Sequence, residues 1–359
     1  MTSRPADHGF AMPAEWERHE GTWLQWPHDD TPSGTQMRLE HVWLAMTEIL
    51  HQHETVHIVV PDERGQAHVR QQAEYYGLDQ GNIDVRVFPT NDVWARDSGS
   101  IFVLNDDGDL AATDWNFNGW GERYPYDRDT KVPAAIAEMA SVPLFRAPIT
   151  LEGGGVDVNG AGTLLATRSS IANPNRNPGR TLDEIEEVLR DYLGVEHFVW
   201  LSGKRGVGDT DFHIDGAARF VDEATVLYSW TDDASHPRYP TFKKHREELR
   251  RAVTQSGEPL VLRPVPVTEA RIYATGRTPA RPPFRRVPSL GLYANFYIAN
   301  EVVLVPVYGD ANDADALSII AEHFPSRDIV GILAHALAEL GGMIHCVTQQ
   351  QPAVRGRDG

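Results

Sequence analysis

The amino-acid sequence predicts an α/β protein built from several small sheets. Short β-branched runs recur along all 359 residues, helical patterns lie between them, and the runs often come in pairs ahead of a helix. Alternating strands and helices indicate an α/β or α+β class. Short paired strands fit small sheet units better than one long parallel sheet.

The strand candidates are VHIVV (56–60), IDVRVF (83–88), SIFVL (100–104), HFVWLS (197–202), ATVLY (224–228), LVLRPVPV (260–267), EVVLVPV (301–307) and MIHCVT (343–348). They are rich in residues that suit a pleated surface, and most are bounded by Gly, Asp, Asn or Pro. Between them the spacing predicts helices over RLEHVWLAMTEILHQ (38–52), ERGQAHVRQQAEYY (63–76), PTFKKHREELRRAV (240–253) and NDADALSIIAEHF (312–324). The clearest helix is TLDEIEEVLRDYL (181–193), where Thr181 and Glu184 have the spacing of a capping box. RTPARPPFRRVP (277–288) is rich in Pro and Arg and reads as an exposed loop or insertion. No exact repeat and no clean linker is visible, so the chain reads as one domain over 1–359.

Composition narrows the function. With 41% hydrophobic residues the chain can bury a substantial core. A formal charge of −18 opposes binding to nucleic acid or an anionic lipid surface, which needs Lys and Arg to replace counterions. The same charge attracts a small cation, or simply keeps the protein in solution. Cys346 is the only cysteine, which excludes an intrachain disulfide and fits a reducing compartment. The N-terminal residues contain no apolar signal core, and IVGILAHALAELGGMI (329–344) is interrupted by His335 and Glu339. A cytoplasmic protein is expected.

Four stretches concentrate polar chemistry. In GDTDFHIDG (208–216), Asp209, Asp211, His213 and Asp215 alternate, and on a strand they would share one face. As a calcium loop the stretch is poor, because a histidine stands at the third position. It also resembles the Asp-x-His-x-Asp element of manganese ureohydrolases, although their Gly-Gly-Asp-His and Asp-Pro elements are missing. The remaining readings are an acid–base histidine flanked by carboxylates, and a polar edge strand. In NDVWARDSGS (91–100), Trp94 beside Asp92 and Asp97 suits a planar cation, or forms a turn with a salt bridge to Arg96. LEGGGVDVNGAG (151–162) sets Glu152 before three glycines that permit close backbone approach. In GGMIHCVTQQ (341–350), Cys346 is either a nucleophile or a small buried hydrophobe.

Together with NPNRNP (173–178), NFYIAN (295–300) and PVYGDANDADAL (306–317), these stretches occur in an order that resembles the agmatine deiminase and bacterial-type peptidylarginine deiminase family of guanidine-modifying enzymes. The resemblance runs from MPAEWERHEGTWLQWP (12–27) to the last glutamines at about 352. It implies a five-bladed α/β propeller (the pentein fold) of ββαβ modules around a central active site. It also implies Cys346 as nucleophile, His213 as general acid/base, Asp97 and Asp215 as the carboxylates that grip the guanidinium, and Glu152 near the histidine and the guanidinium. Trp94 would flank the cation. His345 is placed by the strand reading on the side away from Cys346, and His51, His53 and His57 read as surface or core residues.

The expected reaction is hydrolysis of a small cationic guanidine compound, most simply agmatine to N-carbamoylputrescine and ammonia, a step of putrescine biosynthesis. It needs no metal or cofactor. Arginine, peptidyl-arginine or another guanidine are alternative substrates. Further alternatives are a manganese ureohydrolase, an amidinotransferase and a guanidine-binding propeller without catalysis. A homodimer is compatible with the sequence. Three departures from the family pattern bear on the substrate: Phe212 where many agmatine deiminases have Gly before the histidine, the Arg-rich 277–288 segment, and Leu340 opening the usual triple glycine before the cysteine.

Overall fold

The computed structural model describes residues 3–29, 36–275, 286–289 and 291–354. Within them one connectivity recurs five times: two antiparallel strands, a helical crossover, and a third strand parallel to the second. Ile101–Leu104, Leu110–Asp114 and Leu144–Arg146 form one such sheet, with the helix Val132–Met139 in the crossover. Val156–Val158, Thr163–Thr167 and His197–Leu201 form the next, crossed by Leu182–Leu193. Ala218–Phe220, Thr225–Trp230 and Val261–Pro266 follow, crossed by Tyr239–Leu249. Tyr297–Ile298, Val302–Val307 and Asp328–Leu333 come next, crossed by Asp313–Ala321.

The remaining module joins the two ends of the chain. Gln349–Pro352 pairs antiparallel with His19–Gln25, which pairs parallel with Thr55–Val60 across the helix Gln36–Leu50. Ile83–Val87 adds a fourth strand to this sheet. Five ββαβ modules closed by pairing of the first and last strands are the connectivity of the five-bladed propeller.

Burial shows how each module is oriented. The first strands, such as Val156–Val158 and Ala218–Phe220, are wholly buried, whereas the third strands Val261–Pro266 and Asp328–Leu333 are largely solvent-facing. The first strands therefore surround the middle of the molecule. Middle strands such as Val302–Val307 are covered on both sides and are nearly continuous apolar runs, as parallel neighbours and crossover helices require. The capping box at Thr181 forms as expected, with Glu184 N–H donating to Thr181 Oγ1 and Thr181 N–H donating to Glu184.

Three sequence expectations change. MIHCVT is not a strand: His345–Val347 is a 3₁₀ turn, and the strand begins at Gln349. GDTDFHIDG is not a strand either, because Asp211 and Phe212 have φ of 56° and 75°, which an extended chain cannot contain. Of the 277–288 segment, 277–285 lies outside the described residues, and Arg286–Ser289 pairs antiparallel with Ile272–Thr275 instead of forming a loop.

Phe212 takes a left-handed backbone at a position where glycine would adopt it freely. Its environment holds it there: the ring meets His245 edge-on at 5.1 Å, Arg238 lies 5.5 Å over its face, and its carbonyl accepts from Thr167 Oγ1 at 2.6 Å. The strain costs about 1–2 kcal/mol, while truncating a buried phenyl ring costs roughly 3–5 kcal/mol. Phe212→Gly should therefore destabilise the protein by about 2 kcal/mol in denaturant unfolding. Unchanged or increased stability would show that backbone strain outweighs ring packing.

Candidate active site

Each module contributes at least one polar side chain from the turn just ahead of its first strand. Asp97 lies in the single helical turn Ala95–Ser98 before Ile101, and Glu152 caps the 3₁₀ turn Gly153–Gly155 before Val156. Asp215 precedes Ala218, with His213 two residues earlier. Asn295 precedes Tyr297, and Cys346 sits in the 3₁₀ turn before Gln349. Because the first strands surround the middle of the molecule, the five turns bring these groups together.

The point of convergence is Gly154. A β-carbon there would stand 2.7 Å from His213 Nδ1 and 2.9 Å from both Asp215 Oδ2 and Asp97 Oδ1. Only a residue without a side chain leaves room for the three groups. Gly154 N–H also donates to Asp97 Oδ1 at 3.1 Å, and Trp120 Nε1–H donates to Asp97 Oδ2 at 2.8 Å. His213 Nε2 bonds Glu152 Oε2 at 3.2 Å, while His213 Nδ1 is buried without a hydrogen bond, 3.6 Å from Asp97 Oδ1. Cys346 Sγ lies 3.6 Å from Asp215 Oδ2 and 3.4 Å from Asn295 Nδ2.

A second buried layer fixes these groups. Arg176 donates through Nε to Glu152 at 2.8 Å and through its terminal nitrogen to Asp211 at 2.6 Å. Asp211, read as a possible metal ligand or gripping acid, is thus the partner of Arg176 and Arg123. Asp209 accepts from Tyr124 Oη at 2.7 Å. Beneath Asp215, His345 Nδ1 bonds Asp215 Oδ2 at 3.0 Å and His345 Nε2 bonds Glu15 Oε2 at 2.8 Å. Glu15 also pairs with Arg219 at 2.9 Å and Arg96 at 3.3 Å, and accepts from Ile298 N–H. Among the described residues, no group of three or more His, Cys, Asp or Glu side chains could hold a metal ion.

The model of the Porphyromonas-type peptidyl-arginine deiminase family matches residues 11–352. The chain belongs to this family. Within it, the chain is 36% identical to an agmatine deiminase of Pseudomonas aeruginosa (strain LESB58), covering 99% of this chain and 98% of that one. It is 34% identical to an agmatine deiminase of Stutzerimonas stutzeri (strain A1501), covering 98% of each. A solved structure titled as agmatine deiminase of Enterococcus faecalis catalysing its reaction superposes with a TM-score of 0.90 at 31% identity, covering 98% of each chain. The family implied from the sequence, and its α/β fold, therefore hold.

All five residues expected at this deiminase-family site converge. Trp94 departs in detail: its ring packs on Gly342, where any side chain would collide with it, and Trp120 is the tryptophan bonded to Asp97. His345, expected to face away on a strand, turns inward beneath Asp215 because a 3₁₀ turn does not alternate sides. His57 is remote from the site, between Glu20 and Asp84. Sequence reasoning missed Trp120, Asn295, Arg176, Glu15 and His345 as members of the network. Arg176 and Asn295 lie in the quoted NPNRNP and NFYIAN stretches, and Trp120 lies between two glycines at φ 57°, a strained position associated with sites.

The electrostatics set the protonation states. Burial disfavours the imidazolium of His213, but Asp97, Glu152 and Asp215 outweigh it and raise the group to about 9, so it is charged at neutral pH. Burial, then Asp215 and Asp97, push the Cys346 thiol well above its ordinary range. Burial also raises Asp97, helped by Asp215 and Glu152. Asp215 is held low despite burial, chiefly by His345, then by His213 and Arg219. Glu152 is held low against burial by Arg176 and His213.

Proposed function

We propose that this chain hydrolyses agmatine to N-carbamoylputrescine and ammonia through a covalent intermediate on Cys346. The observation that supports this reading is the convergence of Asp97, Asp215 and His213 Nδ1 on one point above Gly154, with Cys346 against Asp215. The substrate follows from the relatives named agmatine deiminase, and an acidic pocket suits it.

Asp97 and Asp215 accept N–H bonds from the guanidinium and hold it flat. The Cys346 thiolate attacks the guanidinium carbon, forming a C–S bond and a neutral tetrahedral adduct. Imidazolium His213 gives its Nδ1 proton to one amino group, which leaves as ammonia, and a cationic S-alkylthiouronium remains. Neutral His213 then takes a proton from water as the oxygen adds to the same carbon. Collapse of the second tetrahedral adduct breaks the C–S bond, returns the Cys346 thiolate and gives the ureido product, its hydroxyl proton passing to the released ammonia or solvent. Glu152, itself held by Arg176, fixes the histidine through Nε2, which leaves Nδ1 to move the proton. Trp94 is proposed to wall the cation through the turn that carries Asp97.

The incoming cation also prepares the nucleophile. After burial, the negative field of Asp215 and Asp97 is what keeps Cys346 protonated, and the cation offsets that field. Since His213 is already charged, the thiol proton leaves to solvent.

Activity should survive exhaustive chelation, with ammonia and a ureido compound as products in equal amounts. Loss with EDTA and recovery with Mn²⁺, or urea as product, would replace this reading with a ureohydrolase. A panel of agmatine, arginine, peptidyl-arginine and guanidinobutyrate separates the substrates. Preference for peptidyl-arginine would follow the family's own description instead.

A further inference from the structure

We propose that Asn295 is a catalytic residue whose side-chain amide donates a hydrogen bond to the Cys346 thiolate. The inference rests on the deiminase reading and goes beyond it by assigning the nucleophile's own stabiliser. Four of the five turns ahead of the first strands carry Asp97, Glu152, the His213–Asp215 pair and Cys346. Asn295 is the polar residue at the equivalent place in the fifth. It is 1% exposed, so its amide must be satisfied inside the protein.

The contacts orient that amide. Asn295 Oδ1 accepts from the backbone N–H of His345 at 3.0 Å, and the Asn295 backbone carbonyl receives the same N–H at 3.3 Å. With Oδ1 engaged, Nδ2–H points to Cys346 Sγ at 3.4 Å. Oδ1 itself lies 3.5 Å from the sulfur and can receive the S–H of the neutral thiol. The amide can thus serve both protonation states, and ionisation of the thiol exchanges an acceptor contact for a donor contact without moving the backbone.

The chemistry of the site explains why a neutral donor stands here. Burial, then Asp215 and Asp97, oppose ionisation of the thiol, Tyr308 lies near enough to interact with it, and the Met343 backbone and Asn295 favour ionisation. A lysine or arginine would favour the thiolate more strongly, but it would repel a cationic substrate. An amide supports the anion and leaves the charge of the pocket unchanged.

Asn295→Asp is the decisive variant. It keeps Oδ1 for the His345 N–H and nearly keeps the volume, but it replaces the donor facing sulfur with a carboxylate oxygen. The measurement is the pH dependence of Cys346 alkylation by iodoacetamide in the protein alone, alongside steady-state ammonia release. Asn295→Asp should move the alkylation profile to higher pH by about one unit or more, and kcat should fall by about 100-fold. KM should stay level or drop, because an added carboxylate does not weaken cation binding. Asn295→Ala should shift the profile in the same direction by a smaller amount, and circular dichroism with thermal unfolding checks its fold. If Asn295→Asp keeps the wild-type alkylation profile and kcat, Asn295 only supports the turn and the assignment is wrong. Failure of the deiminase reading is distinct: the wild-type protein would then release no ammonia from any guanidine tested.

Discussion

Cys346→Ser should abolish ammonia release, while the substituted protein should still bind its guanidine ligand. A serine hydroxyl is far less acidic than a thiol, and this site has no base free to activate it. His213 is already an imidazolium, since its carboxylate neighbours raise it to about 9 despite burial. The carboxylate beside the sulfur, Asp215 at 3.6 Å, is itself held low by His345 and is a weak base. Binding depends on Asp97 and Asp215, which the substitution leaves in place, so calorimetry should still detect the ligand. The expected loss in kcat is at least about three to four orders of magnitude, on the scale of removing a covalent nucleophile. Substantial turnover in Cys346→Ser would make this residue a buried apolar side chain and remove the covalent mechanism.

Asp97→Asn and Asp215→Asn should each lower kcat/KM by at least about 100-fold. A hydrogen bond to a charged group contributes roughly 1.5–3 kcal/mol, and a partly unpaired buried cation adds to the loss. Each decade corresponds to about 1.4 kcal/mol. The two substitutions should also separate on pH. Removing either charge lessens the field that opposes thiol ionisation, so Cys346 alkylation should rise at a given neutral pH while catalysis falls. Asp215→Asn should have the larger effect on alkylation, because Asp215 touches the sulfur and Asp97 acts at longer range. Near-normal steady-state kinetics in either variant would show that the cation sits elsewhere.

Much of this site was legible in the sequence, and the limits have physical causes. Asp97, Glu152, His213, Asp215 and Cys346 could be named because each lies in a distinctive local stretch and the ordered set is specific. Their conformations could not. Alternation of Asp209, Asp211, His213 and Asp215 suggested a strand, but left-handed backbone at Asp211 and Phe212 sends the acids to different partners. The apolar run around Cys346 similarly suggested a strand, while the close approach of Gly342 to Trp94 brings the chain in as a turn.

The second layer was hidden for a different reason. Glu15 reaches Arg96, Arg219, His345 and Ile298 from positions 81 to 330 residues away along the chain, and no local pattern encodes such contacts. The fivefold repetition was also invisible as sequence similarity. It lies in strand order and in the placing of polar residues in each turn, which Asn295 shares with Asp97 and Cys346 although the residue types differ. The short strands and crossover helices, by contrast, follow β-branched content, caps and spacing, and were largely recoverable.

The central claim is that Cys346 becomes covalently attached to the substrate carbon during turnover. Rapid acid quench of the enzyme with agmatine, followed by peptide mass spectrometry, tests it most directly. The account predicts a mass increment equal to agmatine less ammonia on the peptide containing Cys346, which appears during turnover and disappears as substrate is exhausted. Replacing His213 should alter both its formation and its decay. Full ammonia release with Cys346 unmodified at every quench time, under conditions where chemistry limits the rate and a model thiouronium survives the quench, would contradict the account.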